Sequence, residues 1–294
     1  VLEDIKFLYK YCIYNLLLGN NNKNLVRKLL RMFKYKKKLG QNFLVDGNIV
    51  RKSLAMADLP KGMPVVEIGP GLGTLTKQLL ANNHPVFAVE IDRELVKNLE
   101  KTLGRFIADQ QLDLIQGDAV KYPLANLPSD IKEFAVVANL PYAISSPWME
   151  SLLHTKRIPF RMVVMLQKEA VSRMNSTHGT KEYNALSIFL KAAFTHVQTH
   201  PVSRQCFFPI PGIDSVLVQL DRLEAPFLFD QEDRALIRKI FTQRRKQIGS
   251  LIKKESTDVK EKIDRWLLAN KLDRHLRPEQ ISAINWQQLA AEPK

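Results

Sequence analysis

Val65-Val66-Glu67-Ile68-Gly69-Pro70-Gly71-Leu72-Gly73-Thr74-Leu75-Thr76-Lys77-Gln78-Leu79-Leu80 decides how the rest of the chain is read. A short apolar run stops at three glycines set at alternate positions, and an amphipathic pattern follows. The run reads as a buried parallel strand and residues 74–80 as a helix. Glycine permits the sharp bend between them and removes the Cβ atoms that would keep a ligand at a distance. The turn is shaped for something flat or extended, although a plain structural turn would carry the same letters.

A dinucleotide is the first ligand to test, because its fingerprint is G-x-G-x-x-G with an acidic residue roughly 20 positions on. The acid is present: Val86-Phe87-Ala88-Val89 reads as a second strand running into Glu90. The glycines do not fit. Gly69, Gly71 and Gly73 form G-x-G-x-G, and Thr74 stands where the dinucleotide pattern needs its last glycine. With Glu67 ahead of it, this spacing resembles motif I of the class I S-adenosylmethionine (SAM) methyltransferases, which bind a nucleoside without a pyrophosphate.

At 294 residues the chain has room for one large α/β domain and a smaller one. A formal charge of +14 draws the surface to polyanions, nucleic acid first and anionic membrane second. No apolar run is long enough to span a bilayer. Cys12 and Cys206 have no spacing that indicates a disulfide framework or a zinc site, which fits a reducing compartment, the cytoplasm.

Residues 1–31 read least clearly. Phe7 to Leu18 is apolar enough for a signal h-region, but Glu3 and Asp4 stand where positive charge is needed and no small-residue cleavage site follows. The segment is expected to be an extension or translated upstream sequence, with Met32 the working start. Lys36, Lys37 and Lys38 follow, a solvated surface in most chains. Here they lead into Gln41-Asn42-Phe43-Leu44, two amides beside a ring, suited either to a nucleoside edge or to a turn.

Further on, Leu112-Asp113-Leu114-Ile115-Gln116 reads as a third strand ending at Gly117-Asp118-Ala119. Phe134-Ala135-Val136-Val137-Ala138 is a fourth, ending at Asn139-Leu140-Pro141-Tyr142, and Met162-Val163-Val164-Met165-Leu166 a fifth. Helical patterns alternate with them, so the fold class is α/β, a Rossmann-like doubly wound parallel sheet that collects ligands at the carboxyl ends of its strands. Gly69, Glu90, Asp118 and Asn139 each stand at such an end.

Asn139-Leu140-Pro141-Tyr142 resembles the N/D-P-P-Y/F motif IV of amino-group methyltransferases that act on nucleic-acid bases. An adenine N6 lone pair is delocalised into the ring, so a site must accept from both N–H groups and aim the nitrogen at the methyl. The Asn139 side-chain oxygen and the Leu140 carbonyl suit that task, Pro141 stiffens the turn, and Tyr142 offers a face for an extruded base. The bland reading is a proline turn beside a core tyrosine. Residues 176–184 read as a polar loop beside the substrate face. His196 and His200 are spaced for one helical face, but no glutamate follows His196 and no third ligand is evident, so no metal is expected. Phe207-Phe208-Pro209-Ile210-Pro211 leads to a last strand, its phenylalanines suited to base stacking or to packing under the sheet. Beyond Arg222 only helical patterns remain. An apolar stripe there is interrupted by Arg244-Arg245-Lys246, which reads as a phosphate-facing surface or as stems snorkelling from a core edge.

Taken together, residues 39–44, Glu67 to Gly73, Glu90, Gly117 to Ala119, Asn139 to Tyr142, Gln167-Lys168-Glu169, 207–215, and Phe241 with Arg244-Arg245-Lys246 resemble the bacterial small-subunit rRNA adenine dimethyltransferases, the KsgA family. The resemblance runs from about Lys36 to the C-terminus. It implies a class I SAM-methyltransferase domain over 32–222 and a small all-helical rRNA-binding domain over 223–294. It implies S-adenosyl-L-methionine held by Gln41, Asn42, Leu44, Gly69, Gly71, Glu90, Ile91, Asp118, Ala119 and Asn139, with Glu90 on the ribose hydroxyls and Asp118 on the adenine amine. Methyl transfer falls to Asn139, Leu140, Pro141 and Tyr142, and RNA contact to Lys36, Lys37, Lys38, Arg244, Arg245 and Lys246. The implied substrate is two adjacent adenosines near the 3′ end of small-subunit rRNA, in an immature subunit, with the enzyme acting as a monomer away from membranes. His178, Asn184 and Ser250 depart from the family pattern, outside the methyl-transfer centre. The alternatives are a large-subunit rRNA adenine methyltransferase and a non-catalytic nucleic-acid binder.

Overall fold

The computed structural model describes residues 41–292. The N-terminal segment and Lys36, Lys37 and Lys38 lie outside the described residues. The described chain divides into two units, 41–168 with His196–Asp221, and Glu169–Thr195 with 222–292.

The first unit is built on a sheet. Its strands are β2 (Val65–Ile68), β3 (Val86–Glu90), β4 (Leu112–Gln116), β5 (Ala135–Asn139), β6 (Arg161–Gln167), β7 (Phe194–Val202) and β9 (Ser215–Arg222), in the order β4-β3-β2-β5-β6-β9-β7. A two-stranded ribbon pairs β1 (Phe43–Leu44) with β8 (Phe207–Phe208), Phe43 opposite Phe208 and Leu44 opposite Phe207. Strand β2 lies between β3 and β5, and all four of its residues are buried. Its apolar character, interrupted only by Glu67, follows from that central place, since helices cover both faces of a parallel sheet.

The strand order reverses at β2. Chain passes outward to β3 and β4 on one side, then returns to β5 and β6 on the other, all in parallel register. The carboxyl ends of β2, β3, β4 and β5 therefore share one edge, with the switch point at the turn after β2. Parallel pairing ends at β6. Strand β9 runs antiparallel to it, with Arg161 opposite Asp221 and Gln167 opposite Ser215. No helix leads into β9, so the crossover that parallel pairing requires is missing, and the sheet is mixed rather than wholly parallel.

Helix α1 (Gly47–Ala57) is capped by Asp46, whose carboxylate accepts from the Asn48 N–H at 3.0 Å. Helix α2 (Thr74–Ala81) starts after Gly73 at φ +74°, a conformation that disfavours any residue with a Cβ. Helices α3 (Arg93–Ala108) and α4 (Ser145–His154) complete the layers. Arg161 pins β6 to β9 by a two-pronged pair with Asp221, both bonds 2.8 Å, and also donates to the Ala57 carbonyl at 2.8 Å. Cys206 is a buried thiol whose Sγ donates to Asp46 Oδ2 at 3.4 Å.

The second unit is helical. It contains α5 (Lys168–Asn175) from Glu169 on, α6 (Ala185–Ala193), α7 (Gln231–Phe241), α8 (Ile248–Leu251), α9 (Thr257–Ala269) and α10 (Ala283–Ala291). The helical unit also takes in the segment Glu169–Thr195. The reason is α6, in which every residue except Lys191 is buried, so it forms the centre of the helical unit. Around it stand Trp266 and Trp286, both fully buried with ring centroids 5.2 Å apart, then Phe241 and Tyr183. Lys262 and Asp233 form a buried ion pair at 3.0 Å.

Three sequence expectations change. His196 and His200 lie on β7, a strand and not a helix, and no group of three metal-binding side chains occurs among the described residues. Phe207 is fully buried, which removes it as a base-stacking platform. The basic triplet 244–246 stands in the turn between α7 and α8 instead of continuing a helical stripe.

Candidate cofactor and base site

A cavity of about 210 Å³ opens at the shared edge of β2, β3, β4 and β5. Its wall includes Gln41, Asn42, Leu44, Gly69, Gly71, Glu90, Ile91, Asp118, Ala119, Asn139, Leu140, Pro141 and Tyr142. Every residue assigned from sequence to cofactor or methyl transfer therefore faces one space.

The turn after β2 sets the floor. The Gly69 N–H donates to the Val89 carbonyl at 2.9 Å, fixing the turn to β3. Gly69 has φ +65°, and a Cβ built there would stand 3.1 Å from Pro141 Cγ. Gly71 has φ +58°, and its Cβ would meet Phe43 at 3.3 Å. The glycines are thus required both by backbone conformation and by the close approach of the base-side turn and of the 41–44 segment.

Glu90, 6% exposed, accepts from two backbone donors, the Gly71 N–H at 3.1 Å on one oxygen and the Asp92 N–H at 2.9 Å on the other. Burial raises its pKa, an effect that these bonds oppose. Each oxygen keeps a second lone pair for a ligand hydroxyl. Asp118 accepts from the Val120 N–H at 2.9 Å on Oδ1, and Oδ2 has no partner among the described residues. Ile91, 53% exposed, adds an apolar side chain to the cavity wall.

Glu67, 2% exposed, also lines the cavity, and its Oε2 is buried without a hydrogen bond. Burial pushes its pKa up to about 8, with the Glu90 carboxylate adding in the same direction and Thr76 opposing. The wall is acidic, cradle-shaped and partly apolar. That lining fits S-adenosyl-L-methionine: carboxyl oxygens for ribose hydroxyls and an amine, and a glycine floor without Cβ atoms.

On the base side, the Asn139 Nδ2 donates to the Asn42 carbonyl at 3.3 Å. The amide is held by its nitrogen, and Oδ1 has no partner among the described residues. Tyr142 is half-buried, and its hydroxyl lies 2.6 Å from Ser215 Oγ. Burial raises the Tyr142 pKa, which the Ser215 contact offsets in part.

Residues 32–285 match the ribosomal RNA adenine dimethylase family. This chain belongs to that family. It is 47% identical over 266 residues to the ribosomal RNA small subunit methyltransferase A of Opitutus terrae, covering 90% of this chain and 95% of that protein. The namesake from Staphylococcus carnosus is 37% identical over 259 residues, covering 85% and 87%. A dimethyladenosine transferase from Plasmodium falciparum has a similar structure, with a TM-score of 0.64 at 26% identity, covering 83% of this chain and 94% of that one. The 23S rRNA methyltransferase ErmE superposes with a TM-score of 0.56 at 22% identity, covering 85% of this chain and all of ErmE. That last likeness speaks for the class I fold alone.

Three supports of the cavity wall come from contacts that the sequence does not spell out. Asp92 accepts from the Gln41 side chain at 2.8 Å and caps α3 through the Glu94 N–H at 3.1 Å. Phe43 walls the cavity beside Gly71, and Ser215 holds Tyr142. Asp92, two residues after Glu90 at a helix start, left a readable capping signal, and Ser215 left one as a polar residue on an apolar strand; the approach of Phe43 to Gly71 is long-range and left none.

Arg244 is committed inside the helical unit. It donates to the carbonyls of Lys181 and Tyr183, the latter at 3.2 Å, and pairs with Glu279 at 3.5 Å. Arg245 and Lys246 are exposed, with Lys246 bonded to the Gln243 side chain at 2.8 Å. Asn184 takes extended backbone as the N-cap of α6 in a reciprocal box with Ser187, which accounts for an asparagine at that departure from the family pattern.

Proposed function

We propose that this chain transfers methyl groups from S-adenosyl-L-methionine to the N6 amines of two adjacent adenosines in the hairpin loop near the 3′ end of small-subunit rRNA. Each becomes N6,N6-dimethyladenosine, on an immature 30S subunit in the cytoplasm, with the enzyme acting as a monomer. The observation that carries the reading is the Asn139 amide. Its nitrogen is tied to the Asn42 carbonyl, its oxygen has no partner among the described residues, and the residue lines the cavity with the glycine turn that Pro141 closely approaches.

In this reading Glu90 takes the ribose hydroxyls, Asp118 takes the adenine amine of the cofactor, and the floor at Gly69 and Gly71 admits its chain. When bound, the cofactor supplies a methyl already activated by sulfonium charge. Asn139 Oδ1 and the Leu140 carbonyl accept from the N6 hydrogens and aim the nitrogen lone pair at that methyl. Pro141 keeps both acceptors on one rigid turn, and the Tyr142 ring stacks on the extruded base. Positioning and electrostatics would then lower the barrier: the N–C bond would form as the methyl–sulfur bond breaks with its electron pair left on a neutral sulfur, and the N6 proton would leave to water. Lys36, Lys37, Lys38, Arg245 and Lys246 are assigned to phosphates, and Arg244 to holding the loop that ends at Tyr183.

The test is purified protein with labelled SAM on immature small and large subunits, followed by primer extension across the 3′ hairpin of the small-subunit rRNA. A strong stop at the 3′ member of the adenosine pair on the small subunit is expected, with a second one nucleotide further on wherever the first is bypassed, because a dimethylated adenine cannot pair. Asn139→Ala should abolish the stops while RNA binding persists. Label on the large subunit instead, or stops unchanged in Asn139→Ala, would overturn the assignment.

A further inference from the structure

The segment 207–215 stood out in sequence, and methyl transfer as described above gives it no task. Its first residues pair with β1, which walls the cofactor side of the cavity. Its last residue, Ser215, opens β9 and is 1% exposed. Along β9 the side chains alternate, so Ser215 shares a face with Leu217, also buried. A hydroxyl at such a position is costly unless it is hydrogen-bonded. Its partner is the Tyr142 hydroxyl, 2.6 Å away, a short contact for two hydroxyls.

The backbone that carries Ser215 is held firmly. Ser215 pairs with Gln167 in the β6–β9 ladder. The Asp214 carboxylate accepts from the Arg204 N–H at 2.9 Å and pairs with its guanidinium at 3.4 Å, and Arg204 also donates to the Gly212 carbonyl at 2.9 Å. A rigid strand start therefore grips the one polar atom of a half-buried ring that lines the base side of the cavity.

We infer that Ser215 is a positioning residue for the substrate base: its hydroxyl holds the Tyr142 ring at the angle from which that ring takes the face of the target adenine. This rests on the proposed reading of the site as an adenine N6 methyltransferase. The Tyr142 hydroxyl is engaged inside the protein, so tyrosine serves the substrate with its ring alone, and serine serves it through tyrosine.

The experiment compares full-length wild type, Ser215→Ala, Tyr142→Phe, the double variant and Ser215→Thr on immature small subunits. Ser215→Ala is expected to lower turnover at saturating SAM about 10-fold, the order expected when a reacting group is slightly misplaced. The KM for SAM should stay within about 2-fold, since the cofactor side is untouched. Tyr142→Phe removes the same bond and should show the same loss. The double variant should be no worse than either, and Ser215→Thr should restore turnover. Were Ser215→Ala to fold poorly, Tyr142→Phe still reports the bond. Unchanged turnover in both single variants, or losses that multiply in the double variant, overturns the inference while leaving the methyltransferase reading intact. A wild type that leaves adenine N6 unmodified overturns both.

Discussion

Replacing Gly69 with alanine tests whether the cofactor floor and the base-side turn form one device. Gly69 has φ +65°, so alanine there carries left-handed strain of about 1–2 kcal/mol. The new Cβ would lie 3.1 Å from Pro141 Cγ and 3.2 Å from Cδ. Ordinary carbon contact begins near 3.5 Å, so the proline ring must yield by about 0.4 Å. Pro141 is covalently joined to Leu140 and Tyr142, and the displacement passes to the amine acceptors. If a misplacement of about 1 Å costs roughly 100-fold, about 0.4 Å costs on the order of 5–10-fold in turnover. The strain should lower the melting temperature by about 2–4 °C for each kcal/mol.

Gly73→Ala is the control. Gly73 has φ +74°, giving comparable backbone strain, but its Cβ would meet the end of the buried Leu99 side chain at 2.7 Å, so the core at Leu99 must repack instead of the Pro141 turn. Stability should fall at least as far, since overpacking adds to the strain, while turnover on immature small subunits changes by less than about 2-fold, because the turn at Pro141 is not displaced. Transfer of labelled methyl at saturating SAM, below both melting points, reads the difference. Equal turnover for the two alanine variants would refute the mechanical link between Gly69 and Pro141.

Two buried ionisable groups should shape stability against pH in opposite senses. Burial moves Glu67 from 4.5 up to about 8, so between those values the unfolded chain has lost a proton that the folded chain keeps, and stability falls as pH rises. Burial moves Lys77 from 10.5 down to about 8, so between 8 and 10.5 the unfolded chain keeps a proton that the folded one has lost, and stability climbs with pH. Urea melts of Glu67→Gln should flatten the lower window and those of Lys77→Met the upper; unchanged slopes would contradict the burial argument. In the helical unit, if Arg245 and Lys246 contact phosphates as proposed, Arg245→Gln and Lys246→Gln should each lower the salt slope of RNA binding by about 1. Arg244→Gln should weaken the binding without changing the slope, and a slope change there would make Arg244 a phosphate ligand after all.

The sheet was legible because its signals are local. Apolar runs of four or five residues that end at glycine, acid or amide mark parallel strands and put their polar ends on one edge, where all thirteen assigned site residues line one cavity. Period-based reading failed where tertiary context decided. His196 and His200 are as compatible with a strand face as with a helix face, and only pairing within the sheet selects the strand. Phe207 beside two prolines looks exposed until β8 pairs with β1. The triplet at 244–246 reads as charge alone, whereas Arg244 is fixed by carbonyls about 60 residues earlier in the chain and by Glu279. No spacing rule reports a partner at that distance.

The same distinction separates what in the site is chemistry and what is support. Residues that must meet a ligand carry type-specific signals: glycine without a Cβ, a carboxylate at a strand end, an amide before proline. Residues that aim them work through bonds of any chemistry the fold brings near. The Asn139 amide is oriented by a main-chain carbonyl 97 residues away, and the Tyr142 ring by a serine 73 residues on. A carbonyl is offered by every residue type, so the Asn42 contact leaves no mark on composition. The serine does leave one, as a polar residue at a buried strand position. A buried hydroxyl needs a hydrogen-bond partner, so it points to a contact that strand packing alone does not explain.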